Sequence, residues 1–228
     1  MEKQEYGQRI QYFQTLKRNM LAFAEEYLQR FQELNDSADA LTCRKEYGRG
    51  GLTIHRGFYS PSMTDIVTGG CNRGKLLKQT PTRRAPDYIY HFDERDRLLR
   101  VLRNEGNTES VEFLIYSQHR IRSLIFQKWN GQAILHFLSD CVYDEKDRLV
   151  TYTTALYNYG SITDMTEETF VYDAKDRIEF FTVEGLSFLN GPVQKDIYTM
   201  IYDQSGKLEA YTADPCNGRE PRTYLIQT

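Results

Sequence analysis

VYDAKDRIEFF, residues 171–181, carries the pattern on which the fold turns. A Tyr-Asp pair, three residues, a basic residue and an aliphatic one sit between two apolar runs. The pattern returns from Phe92 (FDERDRLL), Tyr143 (YDEKDRLV) and Tyr202 (YDQSGKLE). A weaker copy starts at Gly70 (GCNRGKLL), and two copies one residue shorter start at Tyr47 (YGRGGL) and Tyr116 (YSQHRI). Including the copy at Tyr172, the seven anchors lie 23, 22, 24, 27, 29 and 30 residues apart, the mark of a repeat architecture.

Each copy has the chemistry of a hairpin turn. The first turn residue of the four strong copies is Asp (Asp93, Asp144, Asp173, Asp203), whose carboxylate accepts backbone N–H groups. Three residues on stands Asp96, Asp147, Asp176, Gly206 or Gly74, types that tolerate the positive φ of hairpin loops. The aspartates are therefore read as turn formers. Between turns, Tyr88/Tyr90/Phe92, Phe170/Tyr172 and Tyr198/Met200/Tyr202 share strand faces, with Ile89, Val171 and Ile201 pointing the other way. Asn130-Gly131 is the sharpest of the hairpin signals between units, and the glycines between Tyr47 and Gly74 read as two early hairpin turns. The expected fold is mainly β with an N-terminal α-helix, its repeated hairpins forming an antiparallel meander of about 12–14 strands over residues 44–228.

Residues 1–36 follow another period. Tyr6, Ile10, Phe13, Lys17, Met20, Ala24, Tyr27, Phe31 and Leu34 recur in alternating steps of four and three, the stripe of one amphipathic helix. NDSADA, residues 35–40, reads as its stop or a short second turn. A helix of about 30 residues runs about 45 Å, whereas twelve strands span about 58 Å. One helix cannot cover such a sheet, so the sheet is expected to curl into a half-barrel around or against it, as large sheets do. The alternative is a face left for a partner.

Composition bounds the function. No apolar run is long enough for a membrane span, and the charge-laden start does not resemble a signal peptide, so a cytoplasmic protein is expected. Cys43, Cys71, Cys141 and Cys216 lie far apart and are expected to be thiols. The net charge of −3 is uneven: residues 44–84 hold nine basic against two acidic side chains, and residues 85–228 hold 15 against 23. The acidic repeats oppose nucleic-acid binding. Their tyrosines suit a basic protein partner.

The motif Y-D-x-x-(G/D)-(R/K)-(L/I) at Tyr143, Tyr172 and Tyr202 resembles the YD repeats of bacterial Rhs proteins and is similar to the short tyrosine repeats of small antitoxin-like and MORN-like proteins. The resemblance implies a bacterial β-meander and carries over no active site. Small proteins of this look often serve as immunity proteins that block a toxin. The expected function is thus a non-enzymatic, protein-binding inhibitor that occludes a basic toxin. Its candidate contacts are Asp144, Glu145, Asp173 and Asp203.

Catalytic and metal-binding motifs are not found: the four histidines lie apart without HxH or HExxH, and no CxxC or GxSxG occurs. His91 and His136 read as strand histidines and His119 as a turn residue. No cofactor is expected. The competing reading centres on residues 44–75, where glycines and Arg49, His55, Arg56 and Arg73 suit phosphate or a nucleotide. Within it HRGFYS, residues 55–60, is similar to the Arg-bearing strand of ADP-ribosyltransferases. A glycan-binding sheet is the third reading.

Overall fold

The structure, a computed structural model, describes residues 3–51, 53–67, 73–104, 106, 108–187 and 194–226. Two helices, α1 (Lys3–Tyr27) and α2 (Phe31–Leu41), precede β1 (Arg44–Arg49). A 3-10 turn (Gly57–Tyr59), a short helix α3 (Met63–Val67) and β2 (Lys75–Leu76) follow. Then come β3 (Tyr88–Phe92), β4 (Leu98–Asn104), β5 (Glu109–Ser117), β6 (Arg120–Trp129), β7 (Gln132–Tyr143) and β8 (Leu149–Asn158). The chain continues through β9 (Ser161–Tyr172), β10 (Ile178–Ser187), β11 (Gln194–Tyr202), β12 (Leu208–Asp214) and β13 (Arg222–Leu225). All belong to one 13-stranded sheet, ordered β13 back to β3, then β1 and β2. The sheet is an antiparallel meander and remains open, with β13 and β2 at its edges.

The repeated motif explains how the strands are stitched together. In the turn from β9 to β10, Asp173 Oδ1 accepts the N–H groups of Lys175 (2.8 Å) and Arg177 (2.9 Å), while Oδ2 accepts Arg177 Nε (2.9 Å). Asp93 and Asp144 make the same three bonds in their turns. The guanidinium then reaches over the ring of the next unit: Arg97 over Tyr116, Arg148 over Tyr172 and Arg177 over Tyr202, at 5.2, 4.8 and 4.4 Å. Each of those tyrosines donates its hydroxyl back to a carbonyl of the preceding unit: Leu98, Leu149 and Ile178, at 3.0, 2.8 and 2.8 Å. The aliphatic residue that accepts is the one that opens the return strand. Tyr, Asp, Arg and Leu thus recur because each closes one contact of an inter-repeat clasp. Positive φ falls where the turns require it, at Asp96, Asp147 and Asp176 (each 58°), at Gly206 (85°) and at His119 (53°).

Both faces are apolar, and different elements cover them. On the helical face Phe13, Met20, Phe23 and Ala24 of α1 and Ala38 of α2 pack on Val111, Phe113, Leu124, Phe126, Leu138, Ala155 and Met165. Burying a side chain of this size is worth about 1.5–3 kcal/mol, so this one cluster anchors both helices to the middle strands. On the opposite face lie Tyr88, Tyr90 and Phe92, then Tyr152, Phe170, Phe181, Met200 and Tyr211. Phe58 and Tyr59 cover the first group and Met63, Ile66 and Val67 the second.

Two expectations are corrected here. The single helix over residues 1–36 is broken at Leu28–Arg30, where the Arg30 N–H bonds Tyr27 O in a turn and α2 restarts with Leu34 N–H on Arg30 O. Residues 35–40 do not stop a helix; they lie inside α2 with Ala38 buried. The glycines between Tyr47 and Gly74 do not make two hairpins. Gly50 and Gly74 instead meet at the base of one long excursion, and a Cβ on Gly74 would lie 2.3 Å from Gly50 O. The described part of this excursion, residues 50, 51 and 53–67, straps the sheet face away from the helices. Gly70 and Cys71 lie outside the described residues.

Candidate binding surface

The turns place the four predicted contact acids at the same ends of successive hairpins, β7–β8, β9–β10 and β11–β12, yet three of their carboxylates are committed. Asp144 and Asp173 are held by their own turns and by Arg148 and Arg177. Asp203 accepts Ser205 Oγ (2.7 Å) and the Lys207 N–H (2.9 Å). The turn N–H groups and Arg148 lower the Asp144 carboxyl below its ordinary range, Arg177 does so for Asp173, and Ser205 and the turn amides for Asp203. Glu145 differs: it is exposed and makes no ion pair among the described residues. Asp147 is likewise exposed, whereas Asp176 bridges to Arg148 Nη1 at 2.6 Å.

The four residues of the phosphate reading do not converge: His55 and Arg56 meet at one buried carboxylate, and Arg49 points elsewhere. Arg56, in the left-handed region at φ 62°, is buried in the strap with its N–H on Glu112 Oε2 (2.8 Å) and its Nε on Oε1 (3.2 Å). Its Nη2 donates to Ser139 Oγ (3.1 Å), and its Nη1 approaches Cys141 Sγ at 3.6 Å. His55 Nδ1 lies 3.4 Å from the same carboxylate. Burial works to raise the Glu112 carboxyl, but His55, Arg56 and Ser123 hold it down at about 2. Arg49 points elsewhere, onto the Arg84 carbonyl (3.2 Å). Arg73 lies at the far end of the excursion, near enough to lower the Asp65 carboxyl, which burial raises.

Buried acids are what sequence reasoning missed. Besides Glu112, Glu168 is buried beneath the strap, accepting Ser62 Oγ (2.5 Å) and the Met63 N–H (2.7 Å). Glu167 and Glu184 face each other across β9 and β10 on the helical face, where Arg9 of α1 binds both. Tyr12 adds its hydroxyl to Glu167 at 2.6 Å. The available signal was an acid inside an apolar strand run, as in SVEFLIY (110–116) and TEETFVY (166–172). Period-two alternation marks such residues as inward-facing, and a buried carboxylate requires a cation or donor opposite.

The helices leave much of their face of the sheet uncovered. Beyond the Arg9–Glu184 contact, Val171 and Ile201 are more than a third exposed and Leu225 is 77% exposed. Register places Thr169 beside Thr182, and Thr199, Thr212 and Thr223 in a second row. On the other face four rings form a ladder, Phe181–Tyr198–Tyr211–Tyr224, with centroid steps of 4.8, 6.0 and 5.1 Å. The ladder ends at a cleft of about 440 Å³ beside Tyr198, Tyr224, Asp196, Arg219 and Arg222. Residues 161–226 hold twelve acidic and six basic side chains.

No protein-family model and no curated protein matches the chain. Among the described residues no helix is long and apolar enough to cross a membrane, and no group of His, Cys, Asp and Glu is placed to hold a metal ion. Cys43, Cys141 and Cys216 are free thiols.

Proposed function

We propose that this chain is a non-enzymatic protein-binding module, an immunity-type inhibitor that occludes a basic toxin with the acidic half of its sheet. The observation that carries the proposal is the stretch of sheet from β9 to β13. It is wide, acidic overall and uncovered on the helical face, and its apolar side chains Val171, Ile201 and Leu225 reach solvent. Exposed apolar area rimmed by polar groups is the ordinary signature of a protein-binding surface. The acidic turn ends steer a basic partner toward it, and the threonine and β-branched side chains supply contact area.

The contact acids are reassigned within this reading. Glu145 and Asp147 are exposed and uncommitted, so they contribute charge at the rim, while Asp144, Asp173 and Asp203 hold the turns. The nucleotide reading finds Arg56 and His55 engaged by Glu112, and of the aromatic face a glycan would use, the rings Tyr88, Tyr90, Phe92 and Phe181 are buried. The test is affinity capture from the native host with mass spectrometry, followed by titration of the captured protein against purified chain. A stoichiometric basic partner whose affinity falls with salt and with Ile201→Arg supports the proposal. A partner indifferent to both changes overturns it.

A further inference from the structure

The exposed edge of the sheet is specific in its geometry. Ile226 N–H bonds Glu209 O on β12, and an antiparallel ladder alternates the direction of its backbone groups. Arg222, Tyr224 and Ile226 therefore turn their N–H and C=O inward to β12. Thr223 and Leu225 turn theirs outward, where β13 has no strand neighbour among the described residues. Pro221 has no N–H to offer, which limits any added strand at that end.

We infer that β13 pairs antiparallel with β13 of a second copy of this chain, joining two sheets about a two-fold axis through Thr223. The two-fold is perpendicular to the sheet and keeps each face on its own side, so only registers that pair residues of like parity are allowed. Centring on Thr223 makes Thr223 opposite Thr223 a hydrogen-bonded pair exchanging two bonds. Each Leu225 N–H then reaches Pro221 O of the other copy, giving four backbone bonds in all.

The side chains fit the same register. Thr223 already shares a hydroxyl hydrogen bond with Thr212 at 3.0 Å, and the second copy extends that threonine row. On the other face Arg222 stands opposite Tyr224 of the second copy, twice over by symmetry. Arginine over an aromatic ring on a neighbouring strand is how this sheet joins its own strands, as in Arg44 over Phe92 at 4.0 Å and Arg177 over Tyr202 at 4.4 Å. Arg222 makes no ion pair among the described residues, and Tyr224 ends the ring ladder 42% exposed. Both groups thus gain the partner that their counterparts inside the sheet already have.

Five residues of each copy, Pro221 to Leu225, form a small interface, below the roughly 1,200 Å² of stable complexes, so a weak dimer is expected, with a dissociation constant on the order of 10–100 μM. The two acidic halves repel, and salt therefore strengthens the association by screening them. Binding of a basic partner responds to salt in the opposite direction, which separates this inference from the proposed function.

The experiment is sedimentation equilibrium of the full chain over a concentration series at low and high salt. A monomer–dimer equilibrium that tightens with salt is expected. Arg222→Glu should weaken it at least tenfold, and Thr223→Pro should abolish it, because the lost N–H points away from β12. Circular dichroism confirms that each variant is folded, with Arg222→Glu deciding the matter if Thr223→Pro is not. A wild-type chain that stays monomeric at about 1 mM overturns the inference. So does a dimer that both folded variants leave intact, or a trimer or larger assembly.

Discussion

Replacing Glu112 by Leu leaves Arg56 buried without its carboxylate. The Arg56 side chain is 5% exposed and that of Glu112 4%, so water cannot take the place of either. Removing one member of such a pair costs about 3–5 kcal/mol, a large part of the roughly 5–15 kcal/mol by which a domain is stable. With a urea slope near 2 kcal/mol per molar, the midpoint should fall by about 2 M. Arg56→Met should cost about as much, because it orphans Glu112. The double variant removes both charges and should lie within about 2 kcal/mol of wild type, giving a large favourable coupling. Far-UV circular dichroism is the suitable readout, since Trp129 is 61% exposed and reports poorly on the core. Acid provides an internal check. Because the folded Glu112 carboxyl is lowered from 4.5 to about 2, its contribution is present above pH 4.5 and is lost as the pH falls through 2. The deficit of Glu112→Leu against wild type should therefore shrink with acidification. A single variant costing under about 1 kcal/mol, or a double variant equal to the sum of the singles, would refute the strap's dependence on this pair.

Three further outcomes follow from the turns and the helical face. Asp147→Gly should stabilise by about 0.5 kcal/mol, since Asp147 holds φ 58° where Gly206 stands in the corresponding turn; unchanged or lower thermal stability would count against it. Tyr202→Phe removes the hydroxyl bond to Ile178 O and should cost about 1 kcal/mol, with faster amide exchange in β11 and β12 as its local sign. His91 is held neutral by burial and by Arg100 and Lys45, its pKa lowered from 6.5 to about 4. Its contribution is present above pH 6.5 and is lost as the pH falls toward 4. His91→Gln should flatten the stability profile between those values, measured by thermal melts, and an unaltered slope would exclude His91 as its source.

Most of the fold was legible because the repeat is local. The Asp-to-Arg bonds within each turn span four residues, and strand alternation fixed which rings share a face. The break at Leu28–Arg30 was not legible, because the four-three stripe continues through Phe31 and Leu34 as though the helix were unbroken. The strap escaped for a different reason. Its anchors join residues such as Arg56 and Glu112, or Ser62 and Glu168, that are more than fifty positions apart, and no local period records them. The same distance hid the purpose of Arg9, whose two carboxylates lie on β9 and β10. Arg49, His55, Arg56 and Arg73 read as neighbours in the chain, but the excursion brings only His55 and Arg56 together, on Glu112, and turns Arg49 to the Arg84 carbonyl.

Except at β1, each strand pairs only with strands next to it in the chain, and each Asp–Arg–Tyr clasp reaches no farther than the following unit. The meander therefore has no preferred length. Duplicating one unit of about thirty residues near the C-terminus would add two rungs with their turn, ring and hydroxyl contacts already supplied, at no cost to the rungs before them. The helices and the strap, which grip β3–β11, fix one end of this array and leave the other free to grow or shorten by whole hairpins.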